Sequence, residues 1–204
     1  SSLNRMYLLI RTVLKDIVES LTSRDPSFLE DIDDREDEVD ALRLLIERQI
    51  GEILESAYLE DSAGINRWEA AEFGNLVRTF ERIGDHVYAL GILAQDTEKA
   101  SLIDVQKLPF CLIAPWLNDF KALNSNIKRP NLNEIHDAKI QLREKMKTLS
   151  NFEDELWSQE DTVNALYLHR CSESIRRLCA YASDMAEILL NIYTHKNAEM
   201  IILE

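Results

Sequence analysis

The chain has 204 residues, 46% of them apolar, and a formal net charge of −14 at pH 7. Apolar content on this scale supports a sizeable core, in one domain or two small ones. The negative balance argues against a nucleic-acid grip by this chain, which needs clustered Lys and Arg facing phosphates.

Only five Gly and four Pro interrupt a sequence rich in Leu, Glu, Ala and Arg, which favours a nearly all-helical chain. Leu3, Met6, Ile10, Val13, Ile17 and Leu21 recur at 3–4 spacing and predict an amphipathic helix over 3–22. Asp25-Pro26 reads as an N-cap with proline in the first turn, opening a second helix to about residue 59 with the stripe Val39, Leu42, Ile46, Ile50 and Ile53. The stretch 62–66 is a turn signal, and Asn66 with Glu69 forms a capping box for a third helix reaching about residue 97. Periodicity weakens over 99–106, which marks an internal boundary. A fourth helix is expected over 107–124 with a kink at Pro115. Asn131 with Glu134 caps a fifth helix to about 149, and Ser150 with Glu153 caps a sixth to about 196. The expected architecture is therefore all-α: six long helices in two tandem three-helix bundles, residues 1–100 and 101–204. Laying 177–187 over 82–92 matches the apolar rhythm of the two halves as an internal repeat.

Three cysteines (Cys111, Cys171 and Cys179) show no CxxC spacing and read as buried small apolar residues in a reducing cytosol. No apolar run approaches the roughly 18 residues of a membrane span. Arg5, Arg11, Lys15 and Asp16 in the first helix do not suit a signal peptide.

The chemistry is concentrated in two acidic pairs. Glu81 and Asp85 are four residues apart, so they share a helix face and repel unless a cation lies between them. Glu36 and Asp40 repeat that spacing and flank Val39 at the edge of the packed stripe. Acid runs such as 25–40, with nine acids and one base, are usually solvated faces, and acids near a helix N-terminus also suit the dipole. Arg78 and Arg82 stand three residues before Glu81 and Asp85, so simple surface ion pairs are an alternative. Gly84 counts against an ordinary exposed turn, because mid-helix glycine costs roughly 1 kcal/mol relative to alanine. Antiparallel packing of the two helices would gather four carboxylates, Glu36, Asp40, Glu81 and Asp85. Such a patch suits a hard cation. None of the four histidines has an acid three residues before it, which argues against a di-iron oxidase bundle. No phosphate-cradling glycine loop or nucleophile elbow is present, and no catalytic constellation emerges.

Residues 76–86, read through Glu81-Arg82-Ile83-Gly84-Asp85-His86, resemble the signature of the PhoU family of phosphate-uptake regulators, and Glu36-Asp37-Glu38-Val39-Asp40 is similar to its partner motif. The resemblance covers the whole chain and implies two tandem three-helix bundles. It also implies a non-enzymatic regulator of phosphate uptake or phosphate signalling. Such a protein would dock on a transporter ATPase or signalling protein, in the cytoplasm, as a homodimer or higher homo-oligomer. It implies a metal ion (iron, zinc or magnesium) on Glu36, Asp40, Glu81 and Asp85. Arg176 and Ala180 stand where the second repeat should carry its helix-three acids, and Asp137 with Gln141 and Glu134 with Ala138 break the pattern on helix five. One metal patch is therefore expected, on the first bundle, or none. The opening residues are similar to an archaeal branch in which a small AbrB-type DNA-binding domain precedes the PhoU region. A regulatory module of potassium transport and a metal-free helical adaptor are the competing readings.

Overall fold

The computed structural model of the chain describes residues 1–158 and 161–202. Helix α1 (Ser2–Ser23) buries Met6, Ile10, Val13, Ile17 and Leu21 of the predicted stripe and adds Leu14, while Leu3 is only partly buried. It stops at Arg24, which adopts φ 59°. The Arg24 guanidinium donates to the carbonyls of Ala100 and, at 2.9 Å, Ile103, tying the end of α1 to the segment after residue 97. Helices α2 (Ile32–Glu55), α3 (Ala57–Ala63), α4 (Arg67–Gln95), α5 (Thr97–Ala100), α6 (Ile113–Asn126), α7 (Leu132–Leu156) and α8 (Thr162–Ile202) follow.

Among the described residues there are eight α-helices, not six in two three-helix bundles. The differences have local causes. Asp25 does cap, through a hydrogen bond from the Ser27 amide, but it caps a one-turn 3₁₀ segment, Pro26–Leu29, and α2 begins only at Ile32. Ser56 turns extended and its hydroxyl accepts from the Leu59 amide, so the expected second helix divides into α2 and α3. Asp96 likewise caps the single turn of α5. Pro115 makes no kink; it lies in the first turn of α6, where a missing N–H costs nothing. Ser150 starts no helix, because α7 runs through it to Leu156. The Asn66–Glu69 capping box is present, at 2.8 and 3.1 Å, and Asn131 accepts from the amides of Asn133 and Glu134.

Helix α8 packs along both α7 and α4, and α1 packs on α2 and α4 and reaches α6. Both halves thus feed one apolar cluster. At its centre the Phe120 ring meets Tyr7, Phe80 and Trp116 at 5.1, 5.4 and 4.8 Å. Each such fully buried side chain contributes about 1.5–3 kcal/mol relative to exposure.

The antiparallel contact of α2 with α4 positions the acids. Two glycines permit it. A Cβ on Gly84 would lie 3.1 Å from Val39 Cγ1, and one on Gly91 would lie 2.0 Å from Ile32 Cδ1. A larger residue at these places forces the facing side chain of α2, or α2 itself, to move.

Candidate metal centre

Helix α2 turns Ile32 and Val39 into the core. Glu36 and Asp40 bracket Val39 along the helix and emerge at the seam with α4. On α4, Ile83 and Val87 point inward, and Asp85 between them emerges at the same seam. One carboxylate oxygen each from Glu36, Asp40 and Asp85 lies within 4.8 Å of the other two. The acids edge a groove floored by Ile10 and Val13 of α1, Val39 of α2, and Gly84 and Val87 of α4.

The trio is electrostatically unsettled. Glu36 and Asp85 make no hydrogen bond or ion pair to any described residue. Asp40 has only Arg43 Nε, at 4.0 Å. Burial, followed by repulsion from Asp40, Asp37 and Asp85, pushes the Glu36 carboxyl above its ordinary value. Burial and then Asp40 push Asp85 upward, against weaker pulls from His86, Arg43 and Arg82. A divalent ion would relieve both effects. The spacing also fits: oxygens within 4.8 Å of one another can share one ion with metal–oxygen bonds of about 2.4 Å, as in calcium sites. An all-oxygen set favours a hard cation over zinc, which prefers nitrogen and sulfur.

The fourth expected ligand lies outside the trio. Glu81 Oε1 is 3.8 Å from Arg43 Nε, and its carboxyl is raised by burial and Asp85 with Arg43 opposing. The pairing of Glu81 with Arg78 and Asp85 with Arg82 suggested by sequence spacing does not occur. Arg78 reaches across to Glu47 at 3.0 Å, and Arg82 lies over the Tyr181 ring at 5.8 Å. His86 stacks on the same ring at 5.6 Å and is not among the grouped ligands, and burial and Arg177 hold its imidazole below the ordinary value.

Residues 3–91 match the family model described as the PhoU domain. Over those 89 of 204 residues the chain is similar to the PhoU domain. The crystal structure of PhoU from Pseudomonas aeruginosa shares the fold, with a TM-score of 0.74 over 96% of this chain and 95% of that chain at 15% identity. No curated protein matches the sequence.

Beyond the PhoU match, α7 packs against α8 and α2 against α4, and the two contacts carry different side chains. With Arg177 laid over Arg82, Arg176 takes the place of Glu81. The partner of Arg176 is Glu153, on α7, as the partner of Glu81 is Arg43, on α2. Counting back from Glu153 as from Arg43 puts Met146 and Ser150 where the first half has Glu36 and Asp40, and Ala180 stands in place of Asp85. The equivalents fall on these residues and not on Asp137 and Gln141, because the contact with α8 fixes a register that spacing alone leaves free. The seam ion pair is thus reversed in charge between the halves, and among the described residues the second half has no carboxylate trio.

Sequence reasoning missed Arg43 and Tyr88. Arg43 stands three residues after Asp40 and four before Glu47, a spacing that signals a shared face. The Tyr88 hydroxyl donates to Asp33 at 2.7 Å across the same seam, and no local pattern announces that contact.

Proposed function

We propose that this chain is a PhoU-type regulator of phosphate uptake or phosphate signalling. It works by docking helical surfaces on a transporter ATPase or signalling protein, in the cytoplasm and as a homo-oligomer. Residues 1–100 and 101–204 act as two repeats, of which only the first holds a metal ion. The observation that carries the reading is the convergence of Glu36, Asp40 and Asp85 from two helices of the PhoU domain. The ion is hard and divalent or trivalent; it would neutralise the trio and fix α2 against α4, so that its loss loosens the docking surface. Exposed Leu44, Leu45 and Tyr58 on α2 and α3 support docking at the outer side of those helices. Among the described residues no helix is long and apolar enough to cross a membrane, which agrees with a protein that meets the transporter from outside the bilayer.

The test is phosphate uptake by cells that lack the gene. Uptake should escape its normal response to external phosphate, and the wild-type gene should restore that response. A gene carrying Glu36→Gln, Asp40→Asn and Asp85→Asn should restore it poorly. Unchanged uptake in the deleted cells would reject the reading.

A further inference from the structure

The two seam ion pairs differ in closure. In the second half Arg176 Nε donates to both oxygens of Glu153 at 3.1 Å, and the Ser172 hydroxyl donates to the same carboxylate at 3.0 Å. That pair is satisfied and fixed. In the first half Arg43 Nε is buried and has no hydrogen-bond partner. It lies between two carboxylates, 3.8 Å from Glu81 and 4.0 Å from Asp40, beyond hydrogen-bond reach of either. Only its Nη1 is anchored, on Glu47 at 3.0 Å. A buried N–H without an acceptor is costly, so this position is poised and not settled. The open pair occurs where the carboxylate trio exists, and the closed pair where Met146, Ser150 and Ala180 replace it.

We propose that Arg43 is the built-in counter-cation of the Glu36–Asp40–Asp85 site and sets its affinity for metal ions. The inference rests on the cation reading of that site. In the ion-free protein the guanidinium shares its charge between Asp40 and Glu81. A divalent ion on the trio repels Arg43 from Asp40 and drives its Nε–H onto Glu81, where it gains the acceptor it lacks. Glu81 then serves binding as the receiver of the displaced arginine and not as a ligand. The ion-bound first half thereby acquires the closed pair that the second half holds permanently, so ion binding and closure of the α2–α4 seam are one event.

The experiment is calorimetric titration of the full chain with Mn²⁺ at low ionic strength, where charge effects are least screened. Arg43→Gln removes a positive charge 4.0 Å from Asp40 and should tighten binding at least tenfold. Arg43→Lys keeps the charge and should bind within a few-fold of wild type. Glu81→Gln should weaken binding in the wild-type background and leave it unchanged in the Arg43→Gln background; this non-additivity is the signature of the coupling. Equal loss in both backgrounds would make Glu81 a ligand and overturn the inference. Unchanged or weaker binding by Arg43→Gln, with wild type binding normally, would overturn it while leaving the cation site standing. If neither wild type nor Arg43→Gln takes up Mn²⁺, the cation reading itself falls and this inference with it. Unfolding curves of each variant separate lost affinity from lost fold.

Discussion

Gly91→Ala adds one methyl group at the tightest point of the α2–α4 contact. The new Cβ would lie 2.0 Å from Ile32 Cδ1, whereas carbon atoms pack at about 3.5–4.0 Å. Ile32 is 3% exposed, so its side chain has no solvent to move into. Either it leaves its rotamer or α2 shifts outward, and overpacking of this kind costs about 1–3 kcal/mol. Alanine returns roughly 1 kcal/mol of helix propensity. The net expectation is a loss of up to about 2 kcal/mol. Ile32→Val removes the offending Cδ1 and costs about 0.5–1.5 kcal/mol alone. In that background the nearest remaining atoms, Ile32 Cγ1 and Ile17 Cδ1, stand at 3.5 Å, an ordinary contact. Gly91→Ala should therefore become neutral or stabilising. Urea unfolding of the wild type, the two single variants and the double variant measures the swing. Additivity within about 0.5 kcal/mol would refute the contact, since independent sites add that closely.

Arg176→Met leaves Glu153 buried with only Ser172 for company, and should cost roughly 2 kcal/mol in chemical unfolding, below the 3–5 kcal/mol of a fully buried pair because Arg176 is 32% exposed. Glu36 and Asp85 have folded values above their unfolded ones, so the folded state binds more protons between the two; the stability they contribute is full below about pH 4 and is lost as pH rises through their elevated folded values. Glu36→Gln with Asp85→Asn should accordingly exceed wild type in ion-free stability at pH 7 by a few tenths of a kcal/mol per repulsion removed, with the difference gone near pH 4 in a pH series of melts. Burial raises the thiols of Cys171 and Cys179 to about 12, so a thiol reagent at pH 8 should modify only Cys111 in the native protein and all three cysteines in urea.

Several helix stripes and caps were legible because their cause is local. The α1 stripe, the Asn66–Glu69 box and the Asn131 cap depend on residues within a turn of each other. Ser150-x-x-Glu153 failed for the opposite reason: Glu153 is held by Ser172 and Arg176 on α8, so what has the spacing of a cap is half of a tertiary ion pair. Ser56 breaks the second helix although the apolar spacing continues through it, because Ser56 caps α3. At the site, the i, i+4 spacing placed Glu36 and Asp40 on one edge, and Gly84 correctly signalled a close helix approach. The partition of Asp85 to the trio and Glu81 to Arg43 was not legible. Both acids lie on one face of α4, and only the register against α2 decides which one meets Glu36 and Asp40.

The central claim is that α2 and α4 together present one cation site within the residues that match the PhoU model. Calorimetric titration of the metal-stripped chain with Mn²⁺, beside the variant Glu36→Gln, Asp40→Asn and Asp85→Asn, measures it directly. The account predicts one ion per wild-type chain and none for the variant. Equal uptake by both proteins would contradict it.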